Sequence, residues 1–387
     1  MGRTDSALGS RYGDVRVYEA SDRAAFLSLY EHVWSRRKGA DWFRWRFEEN
    51  PYRDEVPMVV AEHEGELVGA EPLLSYRLRA ESTTVDAYQP VDWIVHRDHR
   101  RRGLFTRMTE RLLREYTDAE LLFNFPTDAI RPGLATFDWR EVGEVPTRYR
   151  VYDPGRVRAD RSDADGATVG DAVLSACGAV WRRAMRVLDR TAPVGDVDVT
   201  RHQSVPVEAL ARLYATDTPR RIHVVRDEQF LRWRFANPRW NVTTYLASAD
   251  GDPVAGIVTG TEQFDGFTCT HLLDVQPMTG RVDPEVVGAL LSAVLADHRE
   301  VDLLRVRTDA CPRLLRRYGF LADDAFPLAR VTTTSAQVVR PLASDPDDAV
   351  TAGGTEIDPD GDAWRLAGRD PTDPDDWLLA LADLDIA

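Results

Sequence analysis

Cysteine is nearly absent from this chain of 387 residues: Cys177, Cys269 and Cys311 lie far apart and are odd in number. That excludes a disulfide framework and a CxxC metal site. The eight histidines show no HExxH pair, so the usual helical zinc signature is missing and no metal is expected. No run of eighteen apolar residues exists, and no membrane span is expected. The start, MGRTDSALGSRYGDVRVYEA, lacks the apolar core of a signal peptide, which predicts a cytoplasmic protein. Lysine is scarcest of all. Lys38 is the only one, and every other Lys/Arg position is arginine. Against 49 Lys and Arg stand 64 Asp and Glu, a net charge of −15. A dense carboxylate surface with one lysine fits adaptation to high salt, where screening is strong. Such a chain repels nucleic acid as a whole, so a basic patch acts only locally.

The length exceeds a typical single domain and predicts two. An internal repeat says the same. RWRFEENP begins at Arg44 and RWRFANP at Arg232, with Trp45 and Trp233 standing 188 residues apart. Downstream, HEGELVGA (63–70) parallels ADGDPVAG (249–256). A domain-sized period indicates a duplicated domain rather than a solenoid.

In the first half, Val15–Tyr18 reads as a strand and Ala24–Val33 as an amphipathic helix capped by Ser21 or Asp22. Met58–His63 and Leu67–Leu78 form a hairpin around Glu64-Gly65-Glu66. Val85–Val95 is a long strand. Leu104–Tyr116 is a helix with Leu104, Met108, Leu112 and Tyr116 on one stripe. Leu121–Phe125 is a buried strand, a short helix lies near Leu134, and Val142–Tyr152 is the last strand. This order predicts an α+β fold with a mixed sheet, repeated in tandem. The expected boundaries are a first domain over 14–152, a linker over 153–171, a bridging helix over 172–196, a second domain over 197–340 and an acidic tail over 341–387. In the tail, Trp364–Leu366 reads as a strand and Trp377–Leu384 as a short helix.

HRDHRRRGLFTRM (96–108) places four arginines within six positions (97–102), then a glycine and an apolar stretch, between a strand and a helix. Gly103 lets backbone approach a ligand closely. The first amides of the helix lack internal partners and carry partial positive charge, which suits a pyrophosphate. Arg100, Arg101 and Arg102 add charge-assisted donors, and His96 and His99 cap the turn or contact phosphate. A solvated basic face is the plain alternative. A nucleic-acid patch ranks last, because the run is short and no aromatic-interleaved basic stripe accompanies it. No GxxxxGK[ST] loop and no GxGxxG loop is present.

VHRDHRRRGLFTRM resembles the acetyl-CoA motif of the GCN5-related N-acetyltransferases, V-x-P-x-x-[QR]-x-x-G-x-[GA]. Val95 stands at the strand-end valine, Arg100 at the Gln/Arg position and Gly103 at the glycine. HRRRGL is similar to the tandem-domain enhanced-intracellular-survival type. The resemblance covers most of 14–152 and implies two tandem folds of this family. It implies an acetyl-CoA co-substrate and a small-molecule or peptide amine as acceptor. It further implies that the backbone of Trp93, Ile94 and Val95 pairs with the pantetheine arm between splayed strands. The amides of Arg101, Arg102, Gly103, Leu104, Phe105 and Thr106 would bind the pyrophosphate, and Asn124 would face the same cleft. Arg97 replaces the motif's proline, and Phe105 its second small residue. The tyrosine that serves this type as acid is replaced by Leu134.

Acyl transfer to an amine needs a proton acceptor, a polarised thioester carbonyl and a protonated leaving thiolate. The candidate carboxylates are Asp92, Asp128 and Glu71. Asp92 reads equally as a strut pairing an arginine. Tyr88 and Tyr149 are conceivable acids and also fit sheet packing. The RWRF clusters read as helix ends packed on each sheet. In the second half the equivalent helix opens on Asp283-Pro284-Glu285, which would repel phosphate, so only the first half is expected to take the cofactor. A non-catalytic acyl-CoA-binding protein on the same fold is the second reading.

Overall fold

The computed structural model describes residues 14–128, 130–159, 183, 185, 187, 197–264, 266–326, 328–330, 332–342, 355–357 and 364–385. The expected bridging helix therefore lies outside the described residues, except for three helical positions. Two compact units form. One comprises Met1–Gly143 with Gln337–Asp376, the other Glu144–Ala336 with Trp377–Ala387. The mixed α+β organisation expected from the sequence is observed in each.

In the first unit, strand β1 (Val15–Val17) leads to helix α1 (Arg23–Trp34). Helix α2 (Ala40–Phe43) runs on into a wider turn over Arg44–Glu48. Strands β2 (Met58–His63) and β3 (Glu66–Ala80) pair antiparallel. Their tight turn holds Glu64 and Gly65 at φ 53° and 82°, values that suit the twist of a two-residue hairpin. Strand β4 (Thr83–Pro90) follows β3, and the two-residue strand β5 (Ile94–Val95) also pairs with β3. Helix α3 (Leu104–Glu115) crosses over to strand β6 (Leu121–Asn124), which lies parallel to β4. Helix α4 (Arg131–Leu134) and strand β7 (Arg140–Val145) complete the run. Leu104, Met108, Leu112 and Tyr116 of the α3 stripe are buried against β2 and β3 residues. At about 1.5–3 kcal/mol for each large apolar side chain, that stripe fixes where the N-terminus of α3 sits. The packing is close: a Cβ on Gly69 would stand 2.9 Å from Met108 Sδ.

Three expectations need correction. The single strand over Val85–Val95 is two, because Pro90 offers no amide and Asp92 turns the chain at φ 48°. The single strand over Val142–Tyr152 is also two, β7 and β8 (Arg148–Val151), broken at Pro146. β8 pairs with Leu303–Val306 of the second sheet, while the late strand Ser335–Pro341 pairs with β6 of the first. The first sheet thus runs β1-β2-β3-β4-β6, then Ser335–Pro341, then β7. Finally, Trp377–Leu384 is not a helix. It is extended up to a single 3-10 turn over Leu381–Asp383, and the Leu378 amide donates to Ile222 O at 2.8 Å. Trp364–Leu366 is the strand that was expected.

The second unit repeats the plan. Asn241–Ala249 and Asp252–Gln263 form a hairpin, and Thr268–Gln276 follows. Helix Pro284–Asp297 then crosses to Leu303–Val306, parallel to Thr268–Gln276. The RWRF repeat supplies one buried anchor to each unit. Arg46 and Arg234 occupy the same repeat position, and neither has any exposed surface. Arg234 donates from Nε to Ala382 O at 2.7 Å and from Nη2 to Leu384 O at 2.9 Å. A guanidinium buried without such acceptors would be very costly, so the final segment is held where the arginine needs it.

Candidate active site

The site is built where β4 breaks. β4 and β6 pair only at Ala87–Leu121 and Tyr88–Leu122. Each strand then continues for two residues without its partner, Gln89-Pro90 on one side and Phe123-Asn124 on the other. The parallel pair therefore diverges toward the break. In the second unit the corresponding parallel pair stays joined to the last residue of the shorter strand, with Leu272 opposite Val306. Only the first unit shows this divergence among the described residues.

Arg46 holds the break. Its Nε and Nη2 converge on Asp92 Oδ2, at 2.9 and 2.8 Å. Arg46 is fully buried and the Asp92 side chain is 10% exposed. Arg46 also lies near the Trp42 and Phe47 rings. Aspartate tolerates the left-handed backbone at position 92 better than most residues, and its charge offsets that of the guanidinium.

Beyond the break, Ile94 and Val95 pair with Ala70 and Gly69 of β3. The chain then makes a short 3-10 turn over Arg97–His99, in which His96 Nδ1 accepts from the Asp98 amide at 3.3 Å. Arg100 donates from Nε to Val95 O at 3.0 Å, so one of its donors serves the strand end rather than a ligand. Arg101 and Gly103 stand at φ 61° and 73°. A Cβ on Gly103 would meet nothing within 4 Å, so space is open over the turn. The Arg107 amide donates to Gly103 O at 3.1 Å. The amides of Leu104, Phe105 and Thr106, which precede it in the first turn of α3, lack intrahelical acceptors by position. Arg100 to Gly103 are exposed, and Leu104 is buried.

The departure at Phe105 has a physical explanation. Its ring packs edge-on against Trp93 at 5.3 Å and Phe137 at 6.2 Å. Gly133 lies directly under it, where a Cβ would be 3.2 Å from Phe105 Cε1. The ring thus joins strand, helix and following turn, while the residue's amide stays in the first turn of α3. Leu134, at the place of the family's tyrosine, is buried with Leu104 and Met108 in the core of this unit. It supplies no proton.

The three candidate carboxylates have different surroundings. Asp92 is tied to Arg46. Glu71 is fully buried on β3, and burial pushes its carboxyl well above the usual range. Thr109 Oγ1 lies 3.1 Å from both Glu71 oxygens and 3.0 Å from Phe105 O. One hydroxyl has one hydrogen. A protonated Glu71 satisfies all three groups, donating to Thr109, which donates to the Phe105 carbonyl. Asp128 is exposed and pairs with Arg131 at 3.3 Å. Asn124 is buried, and its Oδ1 accepts from the Phe125 amide at 2.6 Å. Tyr88 donates to Asp118 Oδ1 at 2.8 Å and contacts Arg53, and burial first, then Asp118, raises its hydroxyl. Tyr149 lies on β8, in the sheet of the second unit. The helix that opens the second unit's equivalent turn caps itself: Asp283 Oδ1 accepts from the Glu285 amide at 2.9 Å. Among the described residues no group of three or more His, Cys, Asp or Glu could hold a metal, and no helix is long and apolar enough to cross a membrane.

Arg46, Thr109 and the ring contacts of His32 and His63 with the turn were not foreseen. The repeat singled out Arg46 but gave no partner for it. Positions 71 and 109 share no local pattern.

The chain is a mixed α+β protein, and among the described residues only the first unit joins diverging parallel strands to a basic turn at a helix start. Residues 14–142 match the family described as acetyltransferase (GNAT) domain. Residues 14–142 thus carry a GNAT acetyltransferase domain. The chain's fold is similar to a GCN5-related N-acetyltransferase of Anabaena variabilis, with TM-score 0.58 at 11% identity over 89% of this chain and 76% of that one. A conserved protein of unknown function from Enterococcus faecalis, described as a probable N-acyltransferase, gives 0.57 at 9% identity over 85% and 72%. A GCN5-related N-acetyltransferase of Kribbella flavida gives 0.54 at 12% over 90% and 76%. These likenesses extend through both units and concern the fold. No curated protein sequence matches the chain.

Proposed function

We propose that the chain is an acetyl-CoA-dependent N-acyltransferase whose chemistry takes place in the first unit, with an amine as acceptor. The divergence of β4 and β6 beyond Tyr88 and Leu122 carries this reading. In this reading an extended arm lies along Trp93, Ile94 and Val95 on the side away from β3, next to the amides of Arg101 to Thr106. The residues present fit the co-substrate. The turn offers positive charge, an open glycine and helix-start amides to a pyrophosphate. Acetyl-CoA supplies the activated acyl group. The protein binds it, orients it and moves protons around it.

The three carboxylates are assigned different work. Asp92 keeps its charge beside Arg46 and fixes the strand break. Glu71 keeps its proton and steadies the first turn of α3 through Thr109. Asp128, the solvent-open one, takes the amine proton through water. The test is thiol release from acetyl-CoA over a panel of primary amines at high salt. Asp128→Asn is expected to lower kcat with little change in the KM for acetyl-CoA. Thiol release by no amine would exclude catalysis. A second reading, an acyl-CoA-binding protein without transferase activity, is favoured by Leu134 at the place of the acid. It predicts coenzyme A binding with no turnover.

A further inference from the structure

Four imidazoles meet beside the arginine turn. His32 of α1 stacks on His96, with ring centroids 4.2 Å apart and planes at 13°. His96 meets His99 edge-on at 5.5 Å, and His99 meets His63 of β2 at 5.0 Å. Half of the chain's eight histidines are thus brought from three separate elements to one place. Stacked and edge-on rings do not aim their lone pairs at one point, so the arrangement does not suit a metal.

The charges around the quartet are mostly positive. Arg102 acts on His99, and Arg97, Arg100 and Arg101 belong to the same turn. Glu66, exposed, stands opposite His63 in the β2–β3 pairing, and two carboxylates come close to ring nitrogens: Asp98 Oδ2 at 3.9 Å from His96 Nδ1, and Glu64 Oε1 at 4.0 Å from His63 Nε2. Both are largely in water and weakly felt. From β3, Val68 offers only its carbonyl, to the His96 amide at 2.8 Å. The Asp98 amide donates to His96 Nδ1, which requires a lone pair on that nitrogen. His99 titrates below its ordinary value, through burial first and then repulsion by His63, His96 and Arg102. The turn thus uses His96 Nδ1 as an acceptor and disfavours the charged form of His99.

We propose that this quartet is a proton-accepting subsite for a phosphate group bound at the turn: an imidazole that is neutral in the free protein gains a proton as the phosphate arrives. The inference rests on the phosphate reading of the turn. A nucleotide phosphate brings negative charge next to His99, whose charged form is disfavoured by burial and by the positive groups around it. That reverses the local field and favours the charged imidazole. Four interacting rings share the proton, so the titration belongs to the set rather than to one residue. Because the complex then binds more protons than the free partners, affinity rises as pH falls.

The experiment is calorimetric titration of coenzyme A into the full chain at about pH 6, 7 and 8, each in two buffers of different ionisation enthalpy. Uptake of roughly half to one proton per coenzyme A near neutrality is expected, with affinity rising about tenfold from the highest to the lowest pH. The double variant His96→Asn/His99→Asn is expected to bind with the uptake lost and the slope flattened. The 3′-phosphate of coenzyme A titrates equally with both proteins and cancels in the comparison. Should that variant not fold, His63→Asn reaches the quartet from β2 and is expected to reduce the uptake. Imidazole proton resonances of the wild type, with and without coenzyme A, give the same readout without any variant. Binding without proton uptake, or with a pH slope that the variants leave unchanged, would overturn the subsite and leave the turn intact. No binding at any pH would overturn the phosphate reading and the subsite with it.

Discussion

Asp92→Asn isolates what the strand break needs. Asparagine tolerates a left-handed backbone as aspartate does, so φ 48° at this position is retained. Only the charge is removed. Arg46, with no exposed surface, loses the carboxylate that its Nε and Nη2 contact at 2.9 and 2.8 Å. An uncompensated buried charge of this kind costs about 3–5 kcal/mol. For a unit of this size that is a Tm loss of roughly 6–20 °C. Urea unfolding followed by tryptophan fluorescence gives the loss as a lower midpoint at unchanged slope. The double variant Arg46→Met/Asp92→Asn removes both charges and is expected to recover most of the stability, giving a large coupling energy. If Asp92→Asn alone stays within about 1 kcal/mol of the wild type, the pair does not hold the break.

Glu71→Gln should stabilise the protein increasingly as pH rises. The folded carboxyl titrates above its unfolded value of 4.5, so above that pH the native state binds more protons than the unfolded state and stability falls until the folded value is passed. The variant lacks that slope, and its advantage grows by about 1.4 kcal/mol for each unit of elevation. Unfolding curves over pH 4.5–8 decide it, and parallel curves for the two proteins would refute a buried protonated Glu71. Asp283→Ala should cost about 1 kcal/mol through its lost cap and leave coenzyme A stoichiometry unchanged; a changed stoichiometry would place a ligand in the second unit. Gly103→Ala pays only the left-handed backbone cost, about 1–2 kcal/mol, and should still bind coenzyme A, since a Cβ there meets nothing within 4 Å. Complete loss of binding with alanine would mean that the backbone approaches the ligand more closely than the geometry shows.

Much of the fold could be read from local pattern. The α3 stripe, the Glu64-Gly65 hairpin and the domain-sized repeat are signals of period and turn chemistry, and each has its structural counterpart. What failed were features set by distant partners. Val85–Val95 is apolar enough to read as one strand, and its break depends on Pro90 and on an arginine 46 residues before Asp92. The exchange of β8 and Ser335–Pro341 between sheets is a matter of pairing, which side-chain periodicity does not encode. The final segment has helical spacing, yet Arg234 and Ile222 hold it extended. At the site, the turn and Gly103 were legible because strand, glycine and helix are contiguous. The Glu71–Thr109 contact and the histidine quartet were not, since they join residues from different elements.

The most direct measurement is coenzyme A binding by isothermal titration calorimetry at high salt, comparing the wild type with Gly103→Asp. The geometry predicts one site per chain, lost when a carboxylate is placed among the helix-start amides. No binding by the wild type, or equal binding by Gly103→Asp, would contradict it.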